Sequence, residues 1–340
     1  MLFEELVITI MKAVNLQRTV SSPYHLIKGK KSGQTIQDIG YYGLHPYFAV
    51  MPKLEKPLFD AVVKGLFDRR LLRENSETID LTEAAMALAV PASKLNGWKY
   101  RGKESLFFDR LSLIVQTLSF TSQQINIFDP VHNAEDVQKW VKNYLKKINF
   151  RDKNVVAAFK TEMLESLDAL SVDEGQKMML VQRLTGLGMS GQTWQQIAQL
   201  HRLDSPDVQL AIIETLHAWM DLIEQQPYPL LKNLLEGIVQ SSSLTESAQR
   251  TEKLFKNGFS LAEIAAARNL KSSTIEDHFV ELAMNEAAFD YRPFMEPDLF
   301  DRIVEISRKD GTKRLRDIKE KVPEASYFQI RLALAVKEVT

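Results

Sequence analysis

Residues 254–285 read LFKNGFSLAEIAAARNLKSSTIEDHFVELAMN. The spacing predicts two short helices joined by a tight turn, one from Leu261 to about Asn269 and one from Thr274 to about Glu286. Each start carries a capping box: Ser260 is followed three residues on by Glu263, and Ser273 by Glu276. In such a box the serine hydroxyl accepts from a first-turn amide while the glutamate reaches back to the cap. Ile264 and Ala265 on the first helix and Ile275, Phe279 and Leu282 on the second share an inward face, as helical periodicity requires. Ala265 is small where two helices cross closely. Together these features spell a helix-turn-helix.

Moving outward, a helix is expected from Pro297 to Arg308, then a basic tract from Arg308 to Arg316. A last helix pair surrounds Val322-Pro323-Glu324. On the other side, residues 240–249 (QSSSLTESAQ) read as a linker or a helix start. From about 105 to 240 the pattern is helical throughout. It includes GQTWQQIAQLHRLDSPDVQLAIIETLHAWMDLI (191–223), which repeats the helix-turn-helix outline with Val208, Ile212, Leu216 and Trp219 inward. The polar, basic stretch 91–104 (PASKLNGWKYRGKE) reads as another linker.

The first 90 residues open on a helix with Phe3, Leu6, Val7, Ile10 and Val14 on one stripe. Ser22-Pro23 starts a short helix, because proline suits a first helical turn. A basic loop, Lys28-Gly29-Lys30-Lys31-Ser32-Gly33, precedes another short helix, QTIQDIG. Leu54–Arg70 is amphipathic. LLRENSETIDLT (71–82) then reads as two short strands around Asn75-Ser76, a hairpin by its turn residues. Helices closed by a small hairpin describe a winged helix.

Composition narrows the function. The 340 residues are 45% hydrophobic and 26% charged, as in an ordinary globular protein. Net charge is −1, so the whole molecule does not attract nucleic acid. The charge is uneven: residues 1–103 hold 15 basic and 10 acidic side chains, against 12 and 17 in residues 104–240. Cysteine is absent, which removes disulfides, thiol catalysis and cysteine-ligated zinc. No apolar run approaches the ~18 residues of a membrane helix, so no membrane association is expected, and a cytoplasmic location fits. The glycines at 29 and 33 do not have phosphate-loop spacing, and the six histidines show no metal-ligand spacing. No enzyme activity, metal or cofactor is expected.

Three stretches are candidates for contacting nucleic acid. Lys28, Gly29, Lys30, Lys31 and Ser32 lie at a helix N-terminus, where amides, dipole and charge together can hold a phosphate. Lys271, Ser272, Ser273 and Thr274 lie where a helix-turn-helix reads DNA. Arg308, Lys313, Arg314 and Arg316 form the third. Glu276, Asp277 and Glu281, expected outward on the second helix, oppose DNA there, so protein docking remains an alternative for that module.

A resemblance sharpens this. SLAEIAAARNLKSSTIEDHFVELA (260–283) resembles the helix-turn-helix module at the C-terminal end of some bacterial RecQ-family helicases, and TIEDH resembles the second helix of LuxR-type proteins. The first 90 residues are similar to the winged-helix domain of the same helicases at Leu26, Gly29, Lys30, Lys31, Tyr42, Gly43, Leu81 and Thr82. The whole chain resembles the YpbB family of Gram-positive bacteria. It has no helicase motor, and the wing tip Glu74-Asn75-Ser76-Glu77 is acidic and lacks a strand-parting aromatic. The resemblance therefore implies an accessory protein that works with a separate helicase.

The expected architecture is all-α with a small N-terminal β-hairpin wing: a winged-helix-like domain over 1–92, a helical middle domain over 104–240 and a helicase-type helix-turn-helix domain over 244–340. The expected function is a non-enzymatic DNA-binding accessory to a RecQ-type helicase in recombination, repair or replication, nucleoid-associated if it binds DNA. A transcription regulator and a docking scaffold that never touches DNA are the alternatives.

Overall fold

The computed structural model describes residues 1–73, 78–125, 127–239, 244–286 and 289–336. Nineteen α-helices run through these residues. The first six are α1 (Phe3–Ala13), α2 (Ser22–Lys28), α3 (Gly33–Tyr41), α4 (Lys56–Asp68), α5 (Glu83–Ala87) and α6 (Gly97–Tyr100). Then come α7 (Glu104–Ser122), α8 (Glu135–Lys147), α9 (Lys153–Asp168), α10 (Glu174–Gln182), α11 (Trp194–His201), α12 (Ser205–Gln225) and α13 (Pro229–Lys232). The last six are α14 (Glu246–Lys256), α15 (Leu261–Arg268), α16 (Ser272–Asn285), α17 (Pro297–Asp310), α18 (Leu315–Lys321) and α19 (Tyr327–Ala335). Among the described residues no helix is long and apolar enough to cross a membrane.

The chain divides into two compact units. One comprises Met1–Val7, Ala49–Pro52 and Ala89–Gln240; the other comprises Ile8–Phe48, Lys53–Leu88 and Ser241–Thr340. The second unit thus draws on both the N-terminal region and the last hundred residues.

In the first unit the core gathers around α12. Trp219 is fully buried; its Nε1 donates to Ser166 Oγ on α9 at 2.9 Å, and its ring meets Phe107 edge-on. Thr193 caps α11 reciprocally with Gln196, and Arg202 closes that helix with φ 55°. α12 then opens at Ser205-Pro206. The stretch 91–104, expected as a linker, packs in this unit. The Asn96 amide donates to His217 Nδ1 at 2.9 Å, Tyr100 Oη to Asp221 at 2.7 Å and Ser93 Oγ to Glu214 at 2.7 Å. Its aromatic side chains Trp98 and Tyr100 are buried.

In the second unit α16 is the central helix. From His278 to Met284 every residue is buried. α3, α14, α15 and α19 all pack on α16. An aromatic cluster fastens it: Phe279 meets Phe255 of α14 at 4.9 Å and Phe294 at 4.8 Å, and Phe294 meets Phe328 of α19 edge-on. The capping box of Ser260 and Glu263 forms as expected. Asn269, with φ 49°, ends α15 in the left-handed conformation that asparagine tolerates better than most residues. The second expected box does not form. α16 begins at Ser272 with Lys271 as its cap residue, and Glu276 is engaged elsewhere.

The all-α class holds, but the N-terminal hairpin wing does not. Among the described residues there is no strand; the two arms meet in one antiparallel bridge, Leu72–Leu81. The expected tip, residues 74–77, lies outside the described residues. The pairing of the two arms is limited to the bonds that flank this bridge. Arg73 N–H donates to Asp80 O and Thr82 N–H to Leu71 O. Ile79, however, pairs with the segment after α1, donating to Arg18 O and accepting from Leu16 N–H, both at 2.7 Å. In an antiparallel pair this position turns its N–H and C=O away from the facing arm. The outer edge of Ile79, which is fully buried, is therefore tied to the body of the unit, and the segment does not project as a wing.

Candidate nucleic-acid interface

The basic loop is shaped by two local devices. Gly29 ends α2 with φ 78°, a conformation that glycine adopts without a Cβ penalty. Ser32 opens α3: its Oγ accepts from Thr35 N–H at 3.4 Å and lies 2.8 Å from Thr35 Oγ1. Between these points Lys30 and Lys31 are exposed. Lys28 is exposed too, but its Nζ donates to Leu54 O at 3.2 Å and to Tyr24 Oη at 3.3 Å. It is an anchored cation, whereas Lys30 and Lys31 are not held in this way.

Lys271, Ser272 and Ser273 are exposed at the start of α16, and Thr274 is half-buried. A Cβ built on Gly33 would collide with the Asp277 carboxylate, and one on Gly40 with the Met284 side chain. The step from 33 to 40 on α3 matches the step from 277 to 284 on α16, in the same direction. The two helices therefore run parallel and in register. Gly33 is level with Asp277, so α16 projects five residues past it, about 7 Å at ~1.5 Å per residue. Lys31 and Ser32, joined covalently to Gly33, thus lie at the same end of the unit as Lys271–Thr274. Two helix N-termini, each equivalent to roughly half a positive charge, point the same way there.

The acids that oppose DNA in the sequence are all engaged by partners within the unit. Arg331 of α19 pairs with Glu276 at 3.3 Å through Nη2 and with Asp277 through Nη1. Glu281 is buried and accepts from the Thr245 hydroxyl at 2.9 Å and from the Thr245 amide, holding the start of α14. His278 faces Thr251 of α14, with Nδ1 2.8 Å from Thr251 Oγ1. Arg268 donates to that same Oγ1 at 2.5 Å, so the Thr251 O–H is left to donate to an unprotonated Nδ1. Burial, then the nearby Arg268 charge, lowers the His278 pKa to about 4.

The third basic stretch behaves differently. Arg308 is exposed near the end of α17. Lys313 is half-buried: its Nζ donates to the Tyr41 carbonyl and lies 5.2 Å from the Tyr42 ring centre. Burial, then Arg18, lowers its pKa. Arg314 is 3.9 Å from Asp317, and Arg316 pairs with Glu320 at 3.2 Å. Tyr41 is the last residue of α3, so Lys313 sits at the far end of that helix from Lys31. The helix register places Lys31 and Ser32 at the same end of the unit as residues 271–274 and leaves Lys313 at the other end of α3.

Sequence reasoning missed Arg331, which neutralises the acids on α16 from 54 residues away. It also missed a recess of about 250 Å³ beside the basic loop, lined by hydroxyls of Thr19, Ser21 and Ser22 together with Lys30 and Thr35. Ser21-Ser22-Pro23 carried a signal, but only as a helix start.

The C-terminal part of the second unit, with its short first helix, tight turn and second helix, is a helix-turn-helix domain; a family described as Helix-turn-helix domain matches residues 247–334. Over its whole length the chain is similar to Protein YpbB of Bacillus subtilis (strain 168), 30% identical across 98% of this chain and 96% of the relative. The chain belongs to the YpbB family. No solved structure matches it.

Proposed function

We propose that this chain is a DNA-binding accessory protein without catalytic activity of its own, working with a RecQ-type helicase in recombination, repair or replication. The observation that carries the reading is the shared end of α3 and α16. There Lys30, Lys31, Lys271, Ser272 and Ser273 are exposed beside two parallel helix N-termini, and Arg331 compensates the nearest carboxylates. That chemistry suits phosphate oxygens. Because α16 is enclosed by its neighbours, only its first turn is open. This favours backbone contacts over base reading along a groove, and hence an accessory role over a sequence-specific regulator. The helicase partner is supported by the resemblance of residues 260–283 to the helicase module. Gel-shift assays with forked, single-stranded and duplex DNA, together with pull-down of the helicase, test the reading; no binding in either assay would end it.

The scaffold alternative has one observation in its favour. The first unit exposes apolar side chains on α10 and the loop after it, Met178, Val181 and Met189. A chain that captured the helicase while binding no DNA of any form would support the scaffold.

A further inference from the structure

The recess beside the basic loop adjoins the open end of α3 and α16 and shares Lys30 and Ser32 with it. It occupies about 250 Å³, some eight waters' worth at ~30 Å³ each, enough for a phosphate and part of a sugar. Its polar lining is dominated by donors. Thr19 Oγ1 lies 3.1 Å from Ser21 Oγ and 3.4 Å from Ser22 Oγ. Three hydroxyls carry three protons for two contacts, so one O–H is left over. Ser32 and Thr35 share one hydroxyl contact between two protons, leaving another. Lys30 adds a cation and His25 an imidazole to the lining. Burial first, and then Lys30 and Lys56, lower the His25 pKa. The carboxylate in the lining, Asp38, is already paired with Arg18 at 2.7 Å.

We propose that this recess binds a phosphomonoester, presented by the phosphorylated end of a DNA strand. The assignment of DNA as its source rests on the DNA-binding reading above. An internal phosphodiester has a sugar on both sides and one charge, so it does not enter a recess readily. A terminal phosphate carries ≈ −1.5 to −2 charges and three acceptor oxygens, which match an ammonium and spare hydroxyl donors.

The test is fluorescence anisotropy of the full chain with internally labelled duplexes that carry 5′-phosphate, 3′-phosphate or hydroxyl ends, and with a covalently closed circle. A phosphate at one or both termini should tighten binding about tenfold over hydroxyl ends, equivalent to one good charge-assisted contact. The Thr19→Val/Ser22→Ala double variant should lose that preference and bind the circle as wild type does; Ser21→Ala is the second variant, should the double one fail to fold. Equal affinity for all ends in the wild type, or an end preference that survives in the folded variants, overturns the proposal. If no DNA binds at all, the DNA-binding reading falls and calorimetry decides the recess separately. Uptake of inorganic phosphate and deoxynucleoside monophosphate, lost in the variants, would keep it as a phosphomonoester site. No uptake would refute it.

Discussion

Gly33 packs directly against Asp277, leaving no room for a Cβ between α3 and α16. That closeness holds two helix N-termini side by side. Gly33 is the first residue of α3, so Gly33→Ala gains only a fraction of the ~0.8–1.0 kcal/mol that alanine gains in a helix interior, while it forces apart a carboxylate held by Arg331. Overpacking of this kind costs about 1–3 kcal/mol, so a net loss of about 1–2 kcal/mol is expected, read as a lower urea midpoint with an unchanged slope. Gly40→Ala meets the Met284 side chain, which is flexible, and should cost less.

Arg331 serves both stability and charge. Arg331→Gln leaves Glu276 and Asp277 unpaired beside the proposed phosphate face. Both carboxylates are partly exposed, so solvent screens the effect, and a destabilisation of about 1 kcal/mol is expected. DNA affinity should fall several-fold while the salt slope of binding stays as in wild type, because every lysine facing the phosphates is still present. Adding Glu276→Gln and Asp277→Asn should restore affinity, which can be checked by anisotropy across a salt series.

Lys28 and Lys313 separate charge from position. Both are basic in the sequence, yet both are tied to carbonyl oxygens. Lys313→Ala should lower thermal stability, through loss of its bond to Tyr41 O, and leave DNA affinity unchanged. Lys28→Ala should change affinity less than Lys31→Ala does. Thermal melts and binding isotherms on the same preparations decide both points.

His278 makes the second unit sensitive to acid. Its pKa is lowered to about 4 in the folded chain from an ordinary 6.5, so between those values the unfolded chain binds more protons. Stability therefore rises with pH across that window. The His278 contribution is complete above about pH 6.5 and is lost as pH falls toward 4, a difference on the order of 2–3 kcal/mol. Urea midpoints at pH 5 and pH 7.5 should differ in the wild type, and His278→Asn should flatten that difference.

How much of this is legible in the sequence depends on how local the cause is. The box of Ser260 and Glu263 and the asparagine turn at 269 are set by neighbours within four residues, and the helix-turn-helix reads directly from them. Ser273 with Glu276 has the same spacing, but Glu276 is drawn to Arg331, a partner that periodicity does not reveal. The wing is a related case: Ile79, expected on a projecting arm, is tied through its outward backbone groups to Leu16 and Arg18, far outside its own turn. The interface is split likewise. Each basic stretch is visible alone, while the parallel register of α3 and α16 leaves only the seven-residue spacing of Gly33 and Gly40 as a trace. Glu281 looks like a solvated helix residue because nothing nearby announces that it caps α14 at Thr245.

The central claim is that one end of the second unit, built from both ends of the chain, holds DNA phosphates. The direct measurement is duplex and forked DNA binding by wild type and by Lys30→Ala/Lys31→Ala/Lys271→Ala, across a salt series. The wild type should bind, and the triple variant should bind at least about tenfold more weakly, with a salt slope shallower by roughly 0.9 for each phosphate that the missing lysines no longer neutralise. Wild-type protein that binds no DNA, or a folded triple variant that binds with the same affinity and the same slope, would contradict it.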